Sequence, residues 1–176
     1  MKKKSTILQV LPSLVSGGVE RGTVDIAKAI ASNGHVSLVA SSGGVMAQQL
    51  PIYGVKHIQL PLDSKNPFTI YLNIGRLVKI IKGNNVEVVH ARSRAPAWSA
   101  YFACKKTGCH FVTTWHGTYS CKSKLKKFYN SVMGKGEKVI AVSNFIKNHI
   151  LTNYKVAEDK IEVIHRGVEV DKFCTA

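Results

Sequence analysis

Five short stretches of this sequence combine residue types that hold anions or move protons. They are Gly17-Gly18, His90-Ala91-Arg92-Ser93-Arg94, Trp115-His116-Gly117-Thr118, Ser143-Asn144 and His165-Arg166-Gly167. Glycine lacks a Cβ, so backbone at Gly17 and Gly18 can come close to a ligand. A helix starting behind such a loop offers free N–H groups and a positive dipole end. Arginine presents a planar fork that fits phosphate, which makes Arg92, Arg94 and Arg166 candidates. Histidine changes charge near neutrality and can hydrogen-bond a hydroxyl or a phosphate, which singles out His116. His90 ends an apolar run and fits a core position as well. Ser143 fits a helix N-cap, which does not prevent it from touching a ligand.

These stretches need a frame that gathers them, and the pattern of apolar residues supplies one. Apolar runs at 7–11, 36–40, 57–60, 86–90, 110–115, 138–142 and 160–164 read as strands. Between them, residues 19–30, 67–82, 95–107, 122–133 and 144–153 show helical spacing, with a shorter helix at 45–50. Asn84 and Gly108 follow two of these helices as stop signals. Short, nearly continuous apolar strands alternating with helices predict an α/β fold, a doubly wound parallel sheet of about seven strands, Rossmann-like. Ligands of such sheets sit outside the carboxyl ends of the strands, and the five stretches all follow strands. The first turn is not a dinucleotide fingerprint. Its glycines are adjacent rather than spaced as G-x-G-x-x-G, and Gly22 already lies in the helix.

With 176 residues, no repeats and no low-complexity segment, one domain is expected over 1–176. No apolar run reaches the roughly 20 residues needed to cross a bilayer, and the start is too soon broken by Pro12 to read as a signal peptide. A cytoplasmic protein is expected. Cys104, Cys109, Cys121 and Cys174 show no zinc spacing and read as reduced thiols, and no metal or cofactor is called for. The formal net charge is +15, and half of the 10 Asp/Glu lie beyond Ala157, so the rest of the chain is more basic still. Such a field attracts nucleic acid, acidic lipid or phosphorylated ligands. A nucleic-acid-binding domain is one reading of that charge. Against it, the sequence has no helix-turn-helix, zinc spacing or basic sheet rich in aromatics.

Taken in order, Leu14 to Arg21, Val88-Val89-His90-Ala91, Thr114-Trp115-His116-Gly117, Val139 to Ser143 and Ile161 to Glu169 resemble the amino-terminal half of a GT-B glycosyltransferase of family 4. Phe173 matches the aromatic that closes the last motif. The resemblance runs over nearly the whole chain. It implies retaining transfer of a sugar from a nucleotide-sugar donor to a glycan or lipid-linked acceptor, with no cofactor. It places His116 near the reacting sugar as the catalytic residue; beside it, Gly17 and Gly18 by their open backbone, Arg92 and Arg166 by their phosphate-fitting forks and Ser143 at a strand end are the candidate substrate-binding residues. In the last motif His165 and Arg166 stand where Pro and Asn are usual, and Glu169 stands for Asp. The family's second, donor-binding domain would begin where this sequence reaches Ala176. The expectation is therefore half an enzyme, inactive alone, with a non-catalytic binding module as the alternative.

Residues 122–133 carry a second signal. Leu125, Phe128, Tyr129, Val132 and Met133 fall at helical spacing among Lys122, Lys124, Lys126 and Lys127. A basic amphipathic helix can lie on anionic lipid, so these lysines are candidate membrane-docking residues on a protein peripheral to the inner membrane face.

Overall fold

The computed structural model describes residues 4–120 and 123–167. Seven parallel strands form one sheet: β1 (Thr6–Val10), β2 (Val36–Ser41), β3 (Lys56–Gln59), β4 (Val88–Ala91), β5 (His110–Trp115), β6 (Lys138–Ala141) and β7 (Ile161–Val163). Their order across the sheet is β3-β2-β1-β4-β5-β6-β7. Chain direction across the sheet reverses between β1 and β4, which is where a doubly wound sheet opens a ligand crevice. Register brings the carboxyl ends together: Val10 pairs with Ala91 and Trp115 with Ala141.

Five helices connect the strands: α1 (Gly18–Ser32), α2 (Pro67–Gly83), α3 (Arg94–Thr107), α4 (Lys124–Ser131) and α5 (Asn144–Asn153). Their ends have local causes. The Asn66 side chain accepts from Phe68 N at 2.9 Å ahead of Pro67 at the first position of α2. Gly108 ends α3 in the left-handed region at φ 73°. The helix expected over 45–50 is instead two 3₁₀ turns, Val45–Gln49 and Pro51–Tyr53. Pro51 offers no N–H to continue an α-helical ladder through this segment.

Alternate residues of the strands feed two cores. Leu8, Val10, Leu38 and Ala40 pack with Leu77 and Ile81 of α2, Ala97 and Ala100 of α3 and Ile146 and Ile150 of α5. Leu11, Leu14 and Val39 pack on the other side with Val24 and Ala27 of α1. Right-handed crossovers produce this division, because connections that move in opposite directions across a sheet fall on opposite faces. On the α1 side, the sheet stays open over β4, β5 and β6. There His90, Thr114 and Ile140 line a cleft together with Gly18, Arg21, Asp25 and Ile26 of α1.

The segment expected as one amphipathic helix over 122–133 is shorter and divided. α4 stops at Ser131, and a 3₁₀ turn, Val132–Gly134, takes over. Val132 and Met133 are buried, whereas Leu125 and Phe128 point outward at 81% and 66% exposure. The apolar residues of this segment therefore do not share one face. Lys122 and Cys121 lie outside the described residues, as do Cys174, Glu169 and Phe173.

Candidate functional site

The cleft has a volume of about 1090 Å³ and runs along α1 across the ends of β4, β5, β6 and β7. It gathers Gly18, Arg92, His116 and Arg166, which the sequence scatters over 149 positions. Gly17 adjoins it as the residue before α1, with φ 127°, a conformation that favours glycine. Glu20, in the first turn of α1, folds back across this loop: a Cβ on Gly17 would sit 2.6 Å from its Oε2. An acid of the chain itself therefore faces the positive end of the helix.

His116 extends from the end of β5. Its Nδ1 lies 2.7 Å from Arg166 Nη2, and a guanidinium can only donate, so Nδ1 accepts. The ring proton then sits on Nε2, which is buried without a partner. Burial, followed by the charges of Arg92 and Arg166, pushes the His116 pKa down to about 3. The imidazole is therefore neutral near pH 7 and presents one unused N–H.

Arg92 follows β4 and is 4% exposed. Its Nη1 reaches Gln9 Oε1 at 3.4 Å, and its Nε has no partner. Gln9 is itself held by donating to Thr23 O of α1 at 3.1 Å. Burial and the nearby Arg166 lower the Arg92 pKa to about 10, which leaves it charged. His90, also in the cleft wall, has Nε2 2.7 Å from Thr114 Oγ1. Burial first, then Arg92 and His116, lower its pKa to about 3.

The other sequence candidates lie apart. Ser143 is the N-cap of α5, its side chain accepting from Ile146 N at 3.3 Å, beside Val142 of the cleft wall. Arg94 turns away to Asn130 Oδ1 at 2.9 Å and lies over the Tyr119 ring at 4.2 Å. It lines a smaller hollow of about 440 Å³ with Pro12, Asp63, Lys65, Lys126 and Tyr129. Lys124, Lys126 and Lys127 lie on the exposed α4 and do not line the cleft. Among the described residues, no group of three His, Cys, Asp or Glu is placed to hold a metal. Nor is any helix long and apolar enough to cross a membrane.

In the sequence His90 reads mainly as a core position, and nothing local marks Thr114, Arg21 or Gln9. The available signal was Gly22, four residues after Gly18 and so on the same face of α1. A Cβ on Gly18 would sit 2.5 Å from Arg166 Nη1, and one on Gly22 would sit 3.2 Å from Arg92 Nη2. The two glycines make room for the two guanidinium groups.

The family model described as Glycosyltransferase Family 4 matches residues 16–172. A solved glycosyltransferase from Rickettsia africae is 53% identical, with a TM-score of 0.85, over 97% of this chain and 45% of that one. Anabaena HepE, solved in complex with UDP and glucose, is 17% identical with a TM-score of 0.78, over 98% and 47%. The lipopolysaccharide outer core galactosyltransferase WaaB is 16% identical with a TM-score of 0.68, over 93% and 46%. The chain thus spans about half the length of these solved relatives, in each case as half of a GT-B fold. No curated protein is similar enough to be matched.

Proposed function

Because the chain belongs to glycosyltransferase family 4, we propose that it is the acceptor-side half of an enzyme moving a sugar from a nucleotide-sugar donor to a glycan or lipid-linked acceptor. The observation that carries this reading is His116. It is a neutral imidazole at the strand ends, oriented by Arg166, with one buried N–H and no partner for it. Such a group can donate to a sugar hydroxyl or to a leaving oxygen without a charge of its own to desolvate. Arg92 and Arg166 add positive potential where a nucleoside diphosphate would gain charge as it departs. HepE holds UDP-glucose on the same fold, which supports a uridine-diphosphate sugar among the donors to test first.

In this reading transfer proceeds with retention, the second half supplies most donor contacts, and the chain alone does not turn over. The enzyme works as a peripheral membrane protein. That part is supported by α4, where Leu125 and Phe128 are exposed among Lys124, Lys126 and Lys127. Trp98 of α3 extends the apolar surface, with ring centroids 5.2 Å from Phe128 and 5.9 Å from Phe102. Glu87 is the one acid between Asp63 and Glu137, so α2, α3 and α4 carry no carboxylate.

The test is mass spectrometry of products formed by the chain together with a family 4 donor-binding half, against a panel of nucleotide sugars and lipid or glycan acceptors. Sugar transfer with the anomeric configuration kept supports the reading. Hydrolysis alone, or tight binding of DNA with no transfer, overturns it.

A further inference from the structure

We propose that Arg92, Arg166 and His116 form a phosphoryl-binding site that lies wholly within this half. The proposal rests on the cleft being the transferase site, and it adds a ligand group held without contacts from the second half.

Arg92 is the central observation. A guanidinium at 4% exposure is normally balanced by a carboxylate, because a buried unpaired charge is strongly unfavourable. Here its neighbours are the amide of Gln9, a second cation, Arg166, and the imidazole of His116. Asp25, the one acid lining the cleft, is bonded to Arg21 at 3.1 Å. Among the described residues, no carboxylate pairs with Arg92 or Arg166. Glu20 leans over Gly17 and forms no ion pair with either arginine among the described residues. Two cations and a neutral N–H donor, held together with no paired carboxylate among the described residues, are complementary to an anion brought by a ligand.

The donor set favours phosphate among anions. Arg92 Nε and His116 Nε2 are buried donors without partners, and Arg166 is set beside them by its bond to His116. The donors come from three separate segments, after β4, after β5 and after β7, and their several N–H groups suit a group with several oxygens. Gly18 and Gly22 keep α1 clear of both guanidinium groups. A glycine inside a helix costs helix propensity, so Gly22 gains its sense from this packing. The phosphoryl group can belong to the donor's diphosphate or to a phosphate on the acceptor sugar. The chemistry is the same, and the titrations below separate the sources.

The chain is titrated by calorimetry at low ionic strength with inorganic phosphate, UDP, hexose 6-phosphate and, as a neutral probe, glucose. Saturable phosphate binding is expected, weakened at least tenfold in Arg166→Gln and unchanged when Lys124, Lys126 and Lys127 are replaced by Gln. Arg166 is exposed, so its variant should fold. Arg92→Lys, which keeps the buried charge and removes the fork, gives a second reading of the same loss. Competition with phosphate by UDP assigns the group to the donor, and competition by hexose 6-phosphate alone assigns it to the acceptor. No saturable phosphate binding, or binding equal in parent and Arg166→Gln, overturns the site. Phosphate binding without sugar transfer by the completed enzyme would leave the site standing and remove the transferase reading. Transfer without phosphate binding would do the reverse.

Discussion

Arg166 and His116 are 50 residues apart in sequence, and Arg166 Nη2 donates to His116 Nδ1 over 2.7 Å. This bond decides which ring nitrogen of His116 carries the proton and therefore what the residue can offer a substrate. It also depends on a departure from the usual last motif of the family, since Arg166 stands where the resemblance expects Asn.

In the completed enzyme, His116→Ala should lower kcat by about 100-fold or more, the scale on which orienting and proton-transferring groups act. The thermal midpoint should change little, because among the described residues the imidazole bonds only the exposed Arg166 side chain. Gly18→Val should be worse for activity, since its Cβ would meet Arg166 Nη1. Steady-state kinetics on both variants checks this, and an unchanged kcat in His116→Ala would make the histidine structural only.

Stability should fall on mild acidification. The His90 pKa is depressed in the fold to about 3, while the unfolded chain titrates near 6.5. Below 6.5 the unfolded state binds the extra proton, so His90's contribution is complete above that pH and is lost progressively as pH falls. One such buried group gives a slope of about 1 kcal/mol per pH unit. Urea unfolding at pH 7.5, 6.5 and 5.5 should show the decline. His90→Gln, which can still bond Thr114, should make it shallower, and an identical pH profile would rule His90 out as its source.

Two glycines should respond in opposite directions. Gly44 has φ 131°, and a Cβ there would lie 2.5 Å from the Leu14 carbonyl. Gly44→Ala should destabilise by about 2 kcal/mol. Gly75 lies inside α2 with open space around it, and Gly75→Ala should stabilise by up to about 1 kcal/mol. Thermal unfolding of the pair measures both, and a stable Gly44→Ala would show that the Leu14 loop can move aside.

The chain should sediment with anionic vesicles and not with neutral ones. Each lysine near an acidic surface contributes about 1 kcal/mol, screened over about 8 Å at physiological salt. Replacing Lys124, Lys126 and Lys127 by Gln should remove most binding at low salt. Leu125→Ser with Phe128→Ser should remove the portion that survives high salt, because both side chains are already exposed. Equal pelleting of parent and lysine variant would move the docking surface elsewhere.

The sequence by itself determined the α/β frame, all seven strands and the rim stretches that meet at the strand ends. These follow from local causes. Short apolar runs, a proline after Asn66, a serine at 143 and a glycine at 108 act within a few residues of where they stand. Tertiary structure decided what no local signal carries. His90 reads as a core residue in sequence, yet the open sheet face beside α1 makes it part of the cleft wall. Arg92 and Arg94 are two residues apart and look alike, but the first faces the buried Gln9 and the second faces Asn130. Leu125 and Val132 share a helical period, yet the 3₁₀ turn after Ser131 buries one and leaves the other in solvent. The tautomer of His116 depends on Arg166, brought to it by the parallel pairing of β5, β6 and β7, and its neutral state depends first on burial. Contacts between distant segments are set by packing, and packing is a property of the whole sheet rather than of any motif in it.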